Sequence, residues 1–329
     1  MTNPEQPGTT AVRAAVRSWI APCAALVLTA CTAGASTSAS SSPGGTPATD
    51  TATTTATTGQ ADPTRTAATP NTPTGTAPIP TLPPTSGVFD YQLGGTSDTV
   101  RLDGATLTID VVVRDATAEP LPGAYSVCYV NGFQSQPDQA DVWLDQPALL
   151  LRDAGGTPVV DPDWPDELVL DPSTPAQRDG ILAIVGPQIE SCADRGFDAV
   201  EIDNLDTWTR FDQIPEDGAL ALAADYVSLA HDLGLAIAQK NAAEVADVGH
   251  DDLGFDFAIA EECFAWDECD AYLDAYDGRV LEIEYPDALD DAGTDFGSVC
   301  ASSHRASLTI LRDRDLVSST SAGYRYDSC

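Results

Sequence analysis

Gly196-Phe197-Asp198-Ala199-Val200-Glu201-Ile202-Asp203-Asn204-Leu205-Asp206 is a short apolar strand that runs into carboxylates. Strand side chains alternate, so Val200 and Ile202 share one side while Ala199, Glu201 and Asp203 share the other. Acids on a buried strand are costly unless they have partners or chemistry to perform. Ahead of the stretch, Ile181, Ile184, Val185, Ile189 and Cys192 recur at helical spacing, and Gly196 stops that helix. The same order returns with Leu220, Ala223, Val227 and Ala230, then Gly234, then a strand. Helix, glycine, strand is the rhythm of parallel βα units. Helices are predicted at 176–195 and 219–233. Strands are predicted at 88–93, 107–113, 124–130, 167–170, 197–203, 235–240, 255–260 and 280–285. About eight strands in residues 87–329 predict a single α/β domain, a (β/α)8 TIM-like barrel. A doubly wound open sheet is the runner-up, weakened because no Gly-rich dinucleotide loop follows the first strand.

Residues 1–30 read as an export signal. Arg13 and Arg17 precede an apolar run at 19–28 that is too short to span a bilayer. Leu28-Thr29-Ala30-Cys31 resembles the bacterial lipobox, which makes Cys31 the expected lipidation site and the membrane a partner through that lipid. An ordinary secretory signal with a chance Cys is the alternative. Both export the chain, as an outward-facing membrane lipoprotein or a secreted protein. Residues 31–86 are almost wholly Thr, Ala, Pro, Ser and Gly. Such a segment cannot bury enough surface to offset its conformational entropy, so a disordered tether of roughly 40 Å mean span is expected.

The chain has 51 acids and 15 bases, a formal charge of −36. Three of each precede residue 87, so the whole excess belongs to the domain. It speaks against nucleic-acid binding, which needs a basic patch, and is read as solubility or as attraction to a cationic ligand. Six cysteines follow Cys31, and an even number in an exported domain favours disulfides. The favoured pairing is Cys263–Cys269 as a loop clip and Cys300–Cys329 as a clamp on the C-terminal segment. That leaves Cys128–Cys192 to join a strand to a helix. A Cys/His metal site does not fit this spacing.

The chemistry is narrowed by what is missing. There is no Gly-x-Ser-x-Gly elbow and no His-Glu-x-x-His pair among His231, His250 and His304. Carboxylates at strand C-terminal ends remain: Glu201 and Asp203, Glu261 and Glu262, Glu282 and Glu284. Lys240 is the only lysine in the chain. It shares a strand side with Ala236 and Ala238, which suits an inward-facing cation that keeps nearby acids ionised. Two carboxylates with neither metal nor His fit glycoside hydrolysis. No cofactor and no bound metal are expected, although a metal-dependent carboxylate site is a weaker third option.

The opening stretch resembles the signature of glycoside hydrolase family 114, the endo-α-1,4-polygalactosaminidase family. Ala238-Gln239-Lys240-Asn241, then Phe255 through Phe264, Asp267-Glu268-Cys269, Asp163-Trp164-Pro165 and Ile283-Glu284-Tyr285 are similar as well. The resemblance implies a TIM-like barrel that cleaves galactosamine-containing polymers internally. It places the catalytic aspartate on Asp203 and the catalytic glutamate on Glu261. Strand parity argues the other way: if Phe257 and Ile259 face helices, Glu262 faces inward, and only a bulge would restore Glu261. Asp203 is the expected nucleophile or electrostatic partner and Glu261 the expected acid/base. Glu201, Asn204, Asp206, Lys240, Asn241, Glu262, Glu284, Trp164 and Tyr91 are expected to bind substrate, and Trp208 is a further stacking candidate. The segment from Tyr129 to Asp138 departs from the family, which often has an acidic pair there. A de-N-acetylated galactosamine polymer is cationic, which gives the acidity a purpose. A monomer is expected. The rival reading is a non-catalytic glycan-binding surface lipoprotein on a degenerate barrel.

Overall fold

The computed structural model describes residues 79–329. The expected signal, Cys31 and most of the expected tether lie outside them. The strands are β1 (Phe89–Gln92), β2 (Thr99–Leu102), β3 (Ala105–Thr108), β4 (Val111–Asp115), β5 (Tyr125–Asn131), β6 (Ala199–Asp203), β7 (Ala236–Lys240), β8 (Phe257–Glu261), β9 (Val280–Glu284), β10 (Leu308–Arg312) and β11 (Tyr326–Ser328). β1, β4, β5, β6, β7, β8, β9 and β10 form one curled sheet in that order, each parallel to the next. β11 adds antiparallel to β10, and β2 pairs β3 as a separate hairpin. This is a TIM-like barrel. β1 and β10 meet through side chains rather than a ladder. Arg312 Nη1 donates to Asp90 at 2.7 Å and also to the Tyr91 carbonyl, and the Tyr326 hydroxyl donates to the Phe89 carbonyl at 2.8 Å.

Two long helices cover the middle strands. α1 (Pro175–Arg195) opens with Pro at its first turn and a reciprocal capping box between Thr174 and Gln177. It stops at Gly196, whose φ of 85° is the left-handed conformation that glycine adopts without penalty. α2 (Glu216–Asp232) ends the same way, just before Gly234. Ile181, Val185, Ile189 and Cys192 of α1 pack with Val200 and Ile202 of β6 and with Leu222, Ala223 and Val227 of α2. The barrel interior is a second cluster that includes Tyr91, Val113, Val127, Ala199, Ala236, Ala238, Phe257, Ile259, Ile283 and Ile310.

Three expectations about elements need correction. Residues 167–170 are not a barrel strand. They make isolated bridges to Gln134, Leu150 and Val160 within the long connection between β5 and α1. The eighth parallel strand is β10, which the sequence reading did not predict. The run 107–113 is two strands, broken at Asp110, whose carboxylate accepts the Val88 N–H at 2.8 Å. Ahead of residue 87, the Tyr125 hydroxyl donates to the Thr81 carbonyl at 2.7 Å, and Pro83 is buried. All three favoured disulfides form, with Cα–Cα distances of 6.1, 4.7 and 5.1 Å for Cys128–Cys192, Cys263–Cys269 and Cys300–Cys329. Among the described residues, no helix is long and apolar enough to cross a membrane.

Candidate active site

Three neighbouring strands end alike. β6 ends at Asp203, β7 at Lys240 and β8 at Glu261, and the next residue in each case has positive φ: Asn204 at 65°, Asn241 at 49° and Glu262 at 62°. That left-handed residue turns the chain sharply out of the barrel and leaves the last strand side chain at the C-terminal mouth. Asn tolerates the conformation; Glu262 is strained in it.

Lys240 Nζ is the hub. It lies 3.0 Å from Glu261 Oε2, 3.2 Å from Asp203 Oδ1, 3.2 Å from Glu201 Oε1 and 3.1 Å from the Tyr91 hydroxyl. Its side chain is 2% exposed. Burial favours the neutral amine, but Asp203, Glu261, Tyr91 and Glu201 outweigh it and hold the ammonium pKa well above its usual value. Burial likewise opposes ionisation of Asp203, yet Lys240, the Tyr129 hydroxyl and the Asn204 N–H together hold it below the usual carboxylate range. The Tyr129 hydroxyl donates to Asp203 Oδ2 at 2.5 Å, and the Tyr285 hydroxyl donates to Glu261 Oε1. Glu201 is fully buried and accepts from the Tyr91 hydroxyl at 2.9 Å. Burial pushes its pKa up to about 7, against the pull of Lys240. Tyr91, Tyr129 and Tyr285 are themselves pushed well up by burial, so all three phenols stay protonated and donate.

The expected residues divide by what they touch. Asp203, Glu261, Glu201, Lys240 and Tyr91 converge. Asn241 Oδ1 accepts the Glu261 N–H at 2.9 Å, so it holds the strand end rather than facing open space. Asn204 bonds Asn131 at 3.2 Å and accepts from Arg210 at 2.7 Å. Arg210 also pairs with Asp161 at 2.7 Å and with Asp206 at 3.4 Å. Glu262 pairs with Arg314 and accepts from the Trp266 indole N–H at 3.0 Å. Trp164 is exposed on the long connection, and Trp208 packs partly buried against the helix-side core.

Two corrections concern strand sides. Phe257, Ile259 and Glu261 face the barrel interior, while Ala258 and Ala260 pack toward the helices. The parity objection to Glu261 rested on the opposite assignment, and no bulge is needed. Glu284 does not join the site. Its neighbours Leu281 and Ile283 face inward, so Glu282 and Glu284 point toward the helix layer. There Glu284 accepts the Phe264 N–H at 2.8 Å, and Glu282 accepts the Ala306 N–H at 2.6 Å and the Thr309 hydroxyl at 2.9 Å. With Cys263 and Cys269 they make a cluster at metal-ligand spacing, but the two sulfurs are joined in a disulfide.

Sequence reasoning missed Tyr129, Tyr285, Asn131 and Glu167. Asn131 Nδ2 donates to Glu167 at 3.0 Å, and burial with the nearby Asp203 charge pushes Glu167 up to about 7. Parity would have found Tyr285, which follows Leu281 and Ile283 on one side. Glu167 comes from an irregular loop and carried no signal.

The profile of glycoside-hydrolase family GH114 matches residues 68–329. No curated protein matches the chain. Among solved structures, the chain is similar to Aspergillus fumigatus Ega3 in complex with galactosamine, at 19% identity and TM-score 0.56. That match covers 78% of this chain and 99% of the other. It is also similar to a variant of the glycoside hydrolase domain of PelA from Pseudomonas aeruginosa, at 17% identity and TM-score 0.50, covering 70% and 96%. Both likenesses are of fold.

Proposed function

The chain belongs to glycoside-hydrolase family GH114, and from that premise we propose that it cleaves a galactosamine-containing polysaccharide with Asp203 as nucleophile and Glu261 as acid/base. The observation that carries the reading is the lysine between the two acids. One ammonium nitrogen lies 3.2 Å from an Asp203 oxygen and 3.0 Å from a Glu261 oxygen. Those two oxygens therefore cannot be more than about 6 Å apart. An inverting pair needs about 6.5–9.5 Å to admit a water, whereas a retaining pair stands about 5–5.5 Å apart. Two carboxylates held on one nitrogen favour the closer arrangement, and retention of anomeric configuration is proposed.

In that mechanism the ionised Asp203 attacks the anomeric carbon while Glu261 gives a proton to the departing glycosidic oxygen. A covalent glycosyl-enzyme forms. Glu261, now ionised, takes a proton from water, and the resulting attack frees Asp203. Lys240 and the Tyr129 hydroxyl hold Asp203 ionised between turnovers, and the Tyr285 hydroxyl orients Glu261. Glu201 supports the lysine from beneath. The substrate preference follows from charge: the mouth also carries Glu167, Asp161 and Asp206, and a de-N-acetylated polymer brings ammonium groups to it. The lipobox-like Cys31 and the Thr/Pro-rich tether support an outward-facing, lipid-anchored enzyme.

The test is release of reducing ends from α-1,4-polygalactosamine. Asp203→Asn and Glu261→Gln are each expected to reduce it to background; full activity in either variant removes the assignment. Proton NMR of the first product is expected to show the α anomer. A first-formed β anomer would exclude retention. Polymer binding by the unaltered chain without new reducing ends would favour the non-catalytic reading.

A further inference from the structure

Arg314 has no part in the mechanism above, yet it links the ends of three barrel strands. It follows β10 by two residues. Its Nη2 pairs with Glu262, the residue after β8, and its Nε lies 2.5 Å from Asp287, in the first turn of the helix that follows β9. Between those two contacts its guanidinium carbon stands 4.6 Å from the centroid of the Tyr285 ring. Tyr285 is the residue after β9, is 3% exposed, and donates its hydroxyl to Glu261 Oε1. Arg314, Tyr285 and Glu261 therefore form one unbroken chain of contacts.

A guanidinium within about 6 Å of an aromatic centroid is attracted to the ring face. Here two carboxylates also pin it, so it cannot swing off the ring. A lysine, as a point charge, could not meet both carboxylates in that way. Asp203 has no counterpart of this clamp: the cation beside the Tyr129 ring is Lys240, at 5.8 Å. The asymmetry suits the two proposed roles. Asp203 stays ionised until it attacks, whereas Glu261 must give up a proton and take one back in fixed alignment with the leaving oxygen. Lys240 lies 3.0 Å from Glu261 Oε2, which leaves Oε1 to be set by Tyr285. A misplacement of about 1 Å costs a reacting group about 100-fold. The Arg314 side chain is 42% exposed, and ion pairs that reach water contribute little to folding. We infer that Arg314 is a positioning residue for the proposed acid/base: it clamps the Tyr285 ring and, through the Tyr285 hydroxyl, sets the orientation of the Glu261 carboxyl. The inference rests on the glycosidase reading and deepens it.

The test uses the full chain and two substrates, α-1,4-polygalactosamine and a galactosamine oligomer with a dinitrophenyl leaving group. The sugar leaving group needs a proton from Glu261, whereas the dinitrophenolate departs without one, so only the first substrate reports on the acid. Arg314→Met is expected to lower kcat/KM on the polymer about 10- to 100-fold and to leave the aryl substrate within about 3-fold. Arg314→Lys, which keeps the charge but not the fork, falls between. Tyr285→Phe shows the same selective loss, and adding Arg314→Met to it costs nothing further. Thermal unfolding checks that each variant is folded. Equal losses on both substrates, an unchanged kcat/KM on the polymer, or a loss that adds in full to Tyr285→Phe overturns the inference and leaves the glycosidase reading standing. A loss confined to KM also overturns it, because Arg314 would then be holding substrate. Glu261→Gln must show the same selective loss, only larger; equal losses there remove the acid/base assignment and the inference with it. No cleavage of either substrate by the unaltered chain overturns both.

Discussion

Glu201→Gln should make the protein more stable at pH 8 and leave it unchanged near pH 4. Glu201 is fully buried beneath Lys240, and its carboxyl pKa stands at about 7 against 4.5 for a free glutamate. A carboxyl whose folded pKa is raised binds more protons folded than unfolded between those values. Stability is then fully present below about pH 4.5 and declines as pH rises through about 7. Each pH unit of difference is worth about 1.4 kcal/mol, so the loss at pH 8 is about 3 kcal/mol. Glutamine keeps the shape and an oxygen for the Tyr91 hydroxyl but has no proton to lose, so this component vanishes. The assay is urea unfolding at pH 4, 6 and 8 for both proteins. The difference between them should grow from near zero to about 3 kcal/mol across that range. The variant keeps some slope, because burial also pushes Glu282 up to about 7 and Glu284 up to about 8. A difference that is flat with pH would refute the argument, since it would mean that Glu201 carries its charge as readily folded as unfolded.

Lys240→Met should raise the acid limb of the kcat/KM profile by about 1–3 pH units, because Asp203 loses the cation 3.2 Å away. A limb that stays in place would show that Tyr129 and the Asn204 N–H suffice. Arg312→Met should cost about 3–5 kcal/mol in chemical denaturation, since it leaves Asp90 buried without its partner where β10 meets β1. Asn241→Gly keeps the left-handed turn but removes the acceptor for the Glu261 N–H, so kcat should fall with KM little changed.

The sequence was most legible where side-chain size and charge agreed. On β7, Ala236, Ala238 and Lys240 share the inner side, and the sole lysine could be aimed at the site from parity alone. The same rule, small inward and large outward, failed one strand later. β8 turns Phe257 and Ile259 inward where the apolar residues that β6 and β7 offer to the interior are only the small Ala199, Ala236 and Ala238. Packing density is conserved across the whole barrel section, not strand by strand, so the large residues must come from a neighbour. A single strand's sequence does not contain that information. The acids of β9 misled for a related reason. Glu282 and Glu284 alternate with apolar residues as site acids would, yet their partners are loop N–H groups and a hydroxyl from distant segments. β10 was hidden differently: its one apolar run follows the last family-like motif, and the tail was read only as something for Cys329 to clamp.

An acidic protein sets itself a difficulty when its proposed nucleophile is also an acid. An excess of 36 negative charges opposes ionisation of Asp203 while favouring a cationic polymer of the proposed kind. Distance separates the two effects. Surface charges more than about 8 Å away are largely screened at physiological salt. Lys240 at 3.2 Å contributes about 5 kcal/mol at an effective dielectric near 20. One buried cation therefore sets the state of the proposed nucleophile, and the distributed acids act on what approaches it. The other cations around the mouth obey the same constraint. Arg210 is matched by Asp161 and Asp206, Arg314 by Glu262 and Asp287, and Lys240 by three carboxylates. Each is outnumbered by its own partners, so none repels an incoming ammonium, and the positive charge needed for chemistry is kept out of the substrate's sight.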